Sequence, residues 1–312
     1  MKSYVAFVFA FVVASNAIAQ QVLYCAGTVR YPSGEPAADV RLEYYPGFHF
    51  WAGKYAKVLT DANGRYQIIE PKDESSYSGP LCPTNSIIAR DLKNNLAAIQ
   101  NVHMTTTNVD LVLQPAITLS GSVKNTEGVP IMGAEVELRF RSYNSHLLED
   151  RPIKVNELGQ FSMSALPQGA EYGAHGVTAK GYGLEDVDVS LKDTKTNRYE
   201  FPTFVLKHAD QKIAGRVFDG NEKPVVGVEV FIIGKGQPMN PKEKWGQQPF
   251  YSTNTDNEGR FTFDNVCDAP LRVYAVCPDP LDSARSIVSN DGYGTETRAG
   301  DTNIVIRFAL TK

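Results

Sequence analysis

The sequence predicts an all-β chain of three tandem β-sandwiches behind a cleaved leader. Three observations predict it. A glycine-led strand motif recurs at Gly27, Gly121 and Gly215, 94 residues apart both times. A polar turn closing on glycine follows in each copy, at Gly64, Gly159 and Gly259. No stretch carries the periodicity of an amphipathic helix longer than two turns, whereas period-two alternation recurs throughout.

The leader comes first. Met1-Lys2, an apolar run from Tyr4 to Ala14 and the exit Ala17-Ile18-Ala19 read as a secretory signal covering residues 1–19. The run is too short to cross a bilayer, which takes about 20 residues. Tyr24, just before Cys25, is too bulky for lipoprotein processing at that cysteine. No later stretch is apolar for long enough to span a membrane, so no membrane insertion is expected after cleavage. The chain is therefore expected to be secreted or periplasmic. Its formal net charge is −4. It has neither the basic stripe that nucleic acid requires nor a polybasic cluster for anionic lipid.

The remaining length exceeds one ordinary domain and fits two or three. The repeats divide it at 20–114, 115–209 and 210–312. The three opening segments are GTVRYPSGEPAADVRL, GSVKNTEGVPIMGAEVEL and GRVFDGNEKPVVGVEVFI. Val29, Val123 and Val217 match, as do Pro36, Pro130 and Pro224. Each segment reads as a strand, a turn rich in Gly, Pro and acids, and a second, alternating strand. The apolar series are Ala38, Val40, Leu42, Tyr44; Met132, Ala134, Val136, Leu138; and Val226, Val228, Val230, Ile232. These are expected to face a core, with Glu135, Glu137 and Glu229 facing water.

The second signature is TDANGRYQI, VNELGQFSM and TDNEGRFTF. It reads as a hairpin whose glycine takes a positive φ and whose Asp61 or Asp256 bonds the turn backbone. Later strands are expected in NSIIARD, GVTAKGY and RVYAVC, then in VDLVLQP, EFPTFVLKH and IVIRFALTK. About seven short strands per copy make a sandwich.

Four cysteines, Cys25, Cys82, Cys267 and Cys277, lie in a chain bound for an oxidising compartment, which reads as two disulfides. Three connectivities are possible. Cys25–Cys82 and Cys267–Cys277 keep each pair within one repeat. There is no CxxC, and no histidine adjoins a cysteine.

The pattern xGxVxxxxGxPxxGAxVxL followed by TDxxGRF resembles the carboxypeptidase regulatory-like domain, a transthyretin-like, Ig-like sandwich. Gly121, Val123, Gly128, Pro130, Gly133, Ala134, Val136 and Leu138 carry the first motif. Thr255, Asp256, Gly259, Arg260 and Phe261 carry the second, and Ala179-Lys180-Gly181-Tyr182 a third. The resemblance implies a non-catalytic accessory, spacer or recognition module with no cofactor. The motifs specify strands and turns, not chemistry.

No HExxH or GxSxG occurs, and the five histidines are scattered singly. Leu42-Glu43-Tyr44 with Gly53-Lys54-Tyr55 is similar to a stretch of the intradiol ring-cleaving dioxygenases, which implies an iron site built from Tyr44, Tyr55, His49 and His103. The spacing is too long for that family, and its paired HxH is missing. The acidic turn Asp61-Ala62-Asn63-Gly64 lacks the distal acid of a calcium loop. An internal Lys–Asn isopeptide bond, as in cross-linked adhesin repeats, needs a buried acid between the two residues. Sequence does not locate that triad.

One stretch exceeds what a strand needs. EYYPGFHFWAGKY, Glu43 to Tyr55, holds six aromatics in thirteen positions. Tyr45, Phe48 and Trp51 flank a Pro-Gly turn, and Trp245 lies at nearly the same place in the third copy, inside a Pro- and Lys-rich insert. Three readings stand open: packing at a sandwich end or domain seam, a platform for polysaccharide, or an anchor for an envelope protein.

Overall fold

The computed structural model describes residues 23–45, 57–69, 84–103, 105–141, 145–149, 151–189, 196–238, 251–278, 286–288 and 294–308. Among these residues every regular element is a β-strand, and six sheets surround three hydrophobic clusters. The expected leader lies outside the described residues.

The first sandwich comprises β1 (Leu23–Arg30), β2 (Arg41–Tyr45), β3 (Lys57–Leu59), β4 (Arg65–Ile69), β5 (Thr84–Asp91), β6 (Leu96–His103), β7 (Leu111–Val112) and β8 (Gln114–Pro115). One sheet has the order β4-β1-β7 and the other β3-β2-β5-β6-β8. Val29, Leu42, Tyr44, Tyr66, Ile68, Ile87 and Leu111 fill the space between them.

The second repeats this plan with β9 (Ile117–Asn125), β10 (Glu135–Arg141), β11 (Ser145–Leu147), β12 (Ile153–Lys154), β13 (Gln160–Leu166), β14 (Glu171–Thr178), β15 (Glu185–Val189), β16 (Arg198–Glu200) and β17 (Phe204–Leu206). Its sheets are β13-β9-β16, with β17 also on β9, and β11-β10-β14-β15, with β12 also on β10.

The third uses β18 (Ala209–Phe218), β19 (Glu229–Ile233), β20 (Tyr251–Asn254), β21 (Arg260–Cys267), β22 (Leu271–Pro278), β23 (Ser286–Val288), β24 (Thr295–Thr297) and β25 (Ile304–Arg307). Its sheets are β21-β18-β25 and β20-β19-β22-β23, with β24 also on β22. In each sandwich a late strand runs parallel to the first, as β7 on β1, β17 on β9 and β25 on β18.

The repeated signatures have physical causes. Gly64, Gly159 and Gly259 hold φ of 71°, 69° and 68°. A Cβ on any of them would also lie 2.4–2.8 Å from the carbonyl oxygen of Val29, Val123 or Val217, so only glycine lets the turn touch the first strand. The Asp61 carboxylate accepts from the amides of Asn63 and Arg65, and Asp256 from those of Glu258 and Arg260. Thr60 and Thr255, both buried, donate to Ala37 and Val225 carbonyls and accept from the amides of Val40 and Val228. The second copy carries the apolar Val155 there instead.

Several expectations change. The glycine turn is no hairpin: β3 pairs with β2 and β4 with β1, so the turn carries the chain from one sheet to the other. Ala179–Tyr182 is a turn beyond β14 rather than strand. The first residue of each alternating series precedes its strand, leaving Ala38, Met132 and Val226 exposed. Glu137 is only 4% exposed, because Arg139 Nε donates to its Oε1 at 2.6 Å.

No disulfide is present among the described residues. Cys25 and Cys267 are free, buried thiols. Cys82 and the side chain of Cys277 lie outside the described residues. The second pairing fails on strand geometry: β22 begins at Leu271, just past Cys267, and runs away from it. Cys277 therefore sits about 20 Å farther along at roughly 3.3 Å per residue, and a disulfide needs Cα atoms about 4.4–6.8 Å apart. Cys25 instead rests in the first core beside the Tyr66 hydroxyl, 3.7 Å away. Burial raises both thiols, Cys267 to about 11.

Candidate functional site

Phe48, Trp51 and Trp245 lie outside the described residues. Tyr45 does not, and it is no surface platform. It is fully buried, its hydroxyl donates to Glu43 Oε2 at 2.6 Å, and its ring meets Phe140 of the second sandwich edge-on at 4.6 Å. Of the three readings, packing at a seam is the one that describes Tyr45.

The seam follows from strand alternation. On β2 and β5, Leu42, Tyr44, Ile87 and Ala89 point into the first core. Glu43, Tyr45, Ile88 and Arg90 point the other way, out of the sheet, and all four are buried. The end of the second sandwich covers them. Tyr45 and Ile88 belong to one continuous cluster with Ile117, Leu119, Phe140 and Leu148.

Arg90 crosses this junction with only 2% exposure. Its Nε donates to the Ala165 carbonyl at 3.1 Å, one Nη to the Ser164 carbonyl at 3.0 Å, and the other to Glu149 Oε1 at 2.9 Å. Those carbonyls are free to accept because β13 bulges there, with Ala165 at a φ of 55°. The Ala165 amide donates to Asn95 Oδ1 at 2.8 Å, so both sides of this strained residue are held by the first sandwich. Arg41 donates to Glu149 Oε2 at 2.7 Å and pairs with Glu43. Lys57 lies 3.6 Å from Glu149 and 4.0 Å from Glu43. Burial opposes charge on Glu149, but hydrogen bonds from Arg41 and Arg90 outweigh it and hold the carboxyl below its ordinary range. A shallow cleft lined by Arg41, Lys57, Leu59 and Glu149 opens beside this cluster.

The second junction is built differently. Gly183 approaches so closely that a Cβ on it would sit 1.9 Å from the Gly236 carbonyl oxygen and 2.8 Å from Cys267 Sγ. Lys207 Nζ donates to the Asp268 carbonyl at 3.1 Å, and the Cys267 thiol to the Lys207 carbonyl at 3.6 Å. The Tyr182 and His208 rings lie 4.6 Å apart, tilted by 38°, where the chain passes into β18. A cavity of about 250 Å³ lies between Leu184–Asp186 and the loop from Ile232 to Pro238.

No arrangement among the described residues performs the chemistry weighed above. No group of three or more His, Cys, Asp or Glu side chains there can hold a metal ion. The Tyr44 hydroxyl lies in the first core and accepts from Asn85 Nδ2, while the exposed His103 ring bonds Thr105; His49 and Tyr55 lie outside the described residues. The buried acids Glu43 and Glu137 pair with arginines. Among the described residues no helix is long and apolar enough to cross a membrane. Arg90 and Glu149 were not legible as junction residues, since nothing in a strand's own alternation says that its outer face meets another sandwich.

No protein-family model matches the chain, and no curated protein matches it. Solved structures do. The Bacillus anthracis TIE protein is 11% identical over 92% of this chain and 49% of that one, with a TM-score of 0.27, so the chain spans about half that protein's length. A streptococcal ancillary pilin is 10% identical over 91% and 98%, with a TM-score of 0.33. Two B repeat units of the collagen-binding protein of Staphylococcus aureus are 12% identical over 93% and 74%, with a TM-score of 0.22. Scores this low carry no argument about function. The Ig-like sandwich architecture stands on the sheets and cores of this chain itself.

Proposed function

We propose that this chain is a non-catalytic spacer and binding protein, secreted or periplasmic, built from three domains of the carboxypeptidase regulatory-like kind. The observation that carries this reading is the first junction. Arg90, buried between two sandwiches and bonded to two backbone carbonyls and a carboxylate, fixes one domain on the next. A spacer needs set angles between modules. The partner is an envelope protein or a polysaccharide; recognition through the aromatic stretch now rests on Phe48, Trp51 and Trp245, since Tyr45 is taken up by the seam.

Small-angle scattering on the chain without residues 1–19 tests the spacer reading. A fixed arrangement of the first two sandwiches fits the curve, and Arg90→Ala broadens the distribution of distances. A wild-type curve that requires those two sandwiches to move independently overturns the reading.

A further inference from the structure

The sheet that holds the first strand of each sandwich turns one face to its core and the other outward. On the outward face, β1 and β4 set Thr28 opposite Arg65. The matching pair on β9 and β13 is Ser122 opposite Gln160. On β18 and β21 it is Arg216 opposite Arg260. Two of the repeats thus put at most one charge at this position, and the third puts two of the same sign.

Directly opposed residues of an antiparallel pair have Cβ atoms about 4.5–5.5 Å apart, and like charges there are destabilising. The sandwich relieves the pair on one side only. Arg216 is exposed, and its side chain makes no hydrogen bond or ion pair among the described residues. Arg260 lies 3.9 Å from Glu258, both side chains being more than half exposed, and its charge also acts on the Asp256 carboxylate. The other cations of this face are already matched: Lys212 with Asp264, and Arg307 with both carboxylate oxygens of Glu222. On its other side Arg216 stands in register with Val305, an outward valine that is 42% exposed.

We propose that Arg216 and Arg260 form a binding site for one oxyanion, the sulfate or carboxylate of an acidic polysaccharide, with Val305 as the apolar shelf for its sugar ring. Two guanidinium groups carried on directly opposed residues suit a single multi-oxygen anion, which removes their mutual repulsion. A net-acidic chain with one such opposed arginine pair takes an isolated anionic group, not the continuous backbone of a nucleic acid. This goes beyond the spacer reading and does not depend on it.

Calorimetric titration of the full chain with dextran sulfate, polygalacturonate and neutral dextran, at low and high salt, tests the site. The expected result is salt-sensitive binding to one or both acidic polymers and none to dextran, with the acidic polymer preferred naming sulfate or carboxylate as the group. Arg216→Gln or Arg260→Gln weakens it about tenfold, and the double change abolishes it. Arg65→Gln leaves it unchanged. Arg216→Thr, which installs the residue of the first repeat, also loses binding yet melts at an equal or higher temperature, so loss of binding is separated from loss of fold. Equal affinity in wild type and the double variant, no binding to either acidic polymer, or preference for duplex DNA overturns the proposal.

Discussion

At the first junction a hydrophobic cluster runs unbroken from Tyr45 and Ile88 into the second sandwich, whereas the third sandwich's cluster contains no residue of the second. The register positions make the comparison direct. Arg41 faces Arg90 across β2 and β5; their counterparts across β10 and β14 are Glu135 and Thr178. The bulge at the end of β13 offers the Ser164 and Ala165 carbonyls to Arg90 of the preceding sandwich. The matching bulge on β21, with Asn265 at a φ of 64°, offers the Asp264 carbonyl to Tyr251 of its own sandwich. One scaffold thus makes two kinds of joint: a shared core closed by a buried ionic cluster, and a seam resting on glycine contact and a few hydrogen bonds. The difference lies in outward-facing residues, which folding of the single sandwich leaves free to vary.

Arg90→Ala separates the two joints most sharply. It leaves Glu43 fully buried and Glu149 partly buried with less cationic partnership, and removing one member of a buried ionic group costs about 3–5 kcal/mol. Urea unfolding followed by circular dichroism shows the loss in the transition of the first two sandwiches, with the third unaffected. If the third sandwich loses as much, the cores are coupled and the contrast between joints is wrong.

Acid acts on the same cluster with a smaller effect, because Glu149 keeps some solvent contact. Its folded-state affinity for protons is lowered, so the stability it adds is complete above its unfolded value of roughly 4.3 and is lost as the pH falls through the lower folded value. Melting temperatures between pH 6 and pH 3 are expected to fall in wild type, and less so in Glu149→Gln, which starts lower.

How much of this was legible in the sequence follows from the same residues. Repeated Gly, Val and Pro positions revealed the strands because their causes are local: a positive φ at Gly64, Gly159 and Gly259, and a carbonyl too near for any Cβ. The same turn was misread as a hairpin, since a sheet-switching corner and a hairpin ask for the same glycine. Burial of Glu43, Arg90 and Glu137 was not legible. Alternation tells which residues share a face, and only tertiary contact tells what covers it. For Cys267 and Cys277, compartment and count suggest pairing, while the direction of β22 carries Cys277 away from Cys267.

Gly183→Ala probes the second joint. The new Cβ meets backbone at Gly236 and the Cys267 sulfur, neither of which is the end of a flexible side chain. Overpacking of this kind costs about 1–3 kcal/mol, or the seam opens and that cost is avoided. An open seam lengthens the maximum dimension in solution scattering while leaving the unfolding of the first two sandwiches unchanged. A variant that keeps both its dimensions and its stability means that the glycine contact does not hold the third sandwich.

The smallest expected effect lies within a sandwich and calibrates the others. Thr255 is 5% exposed, donates to Val225 and accepts from the amide of Val228, and the second repeat carries Val155 in the matching place. Thr255→Val keeps the shape and strands one buried amide and one carbonyl, for a loss of about 1–2 kcal/mol in the third sandwich alone. Hydrogen exchange at Val228 is the sharper readout, since that amide loses its acceptor. Unchanged protection there would mean that the threonine of the turn motif is kept for its volume, and that the second repeat, with its valine, shows the whole of what the position requires.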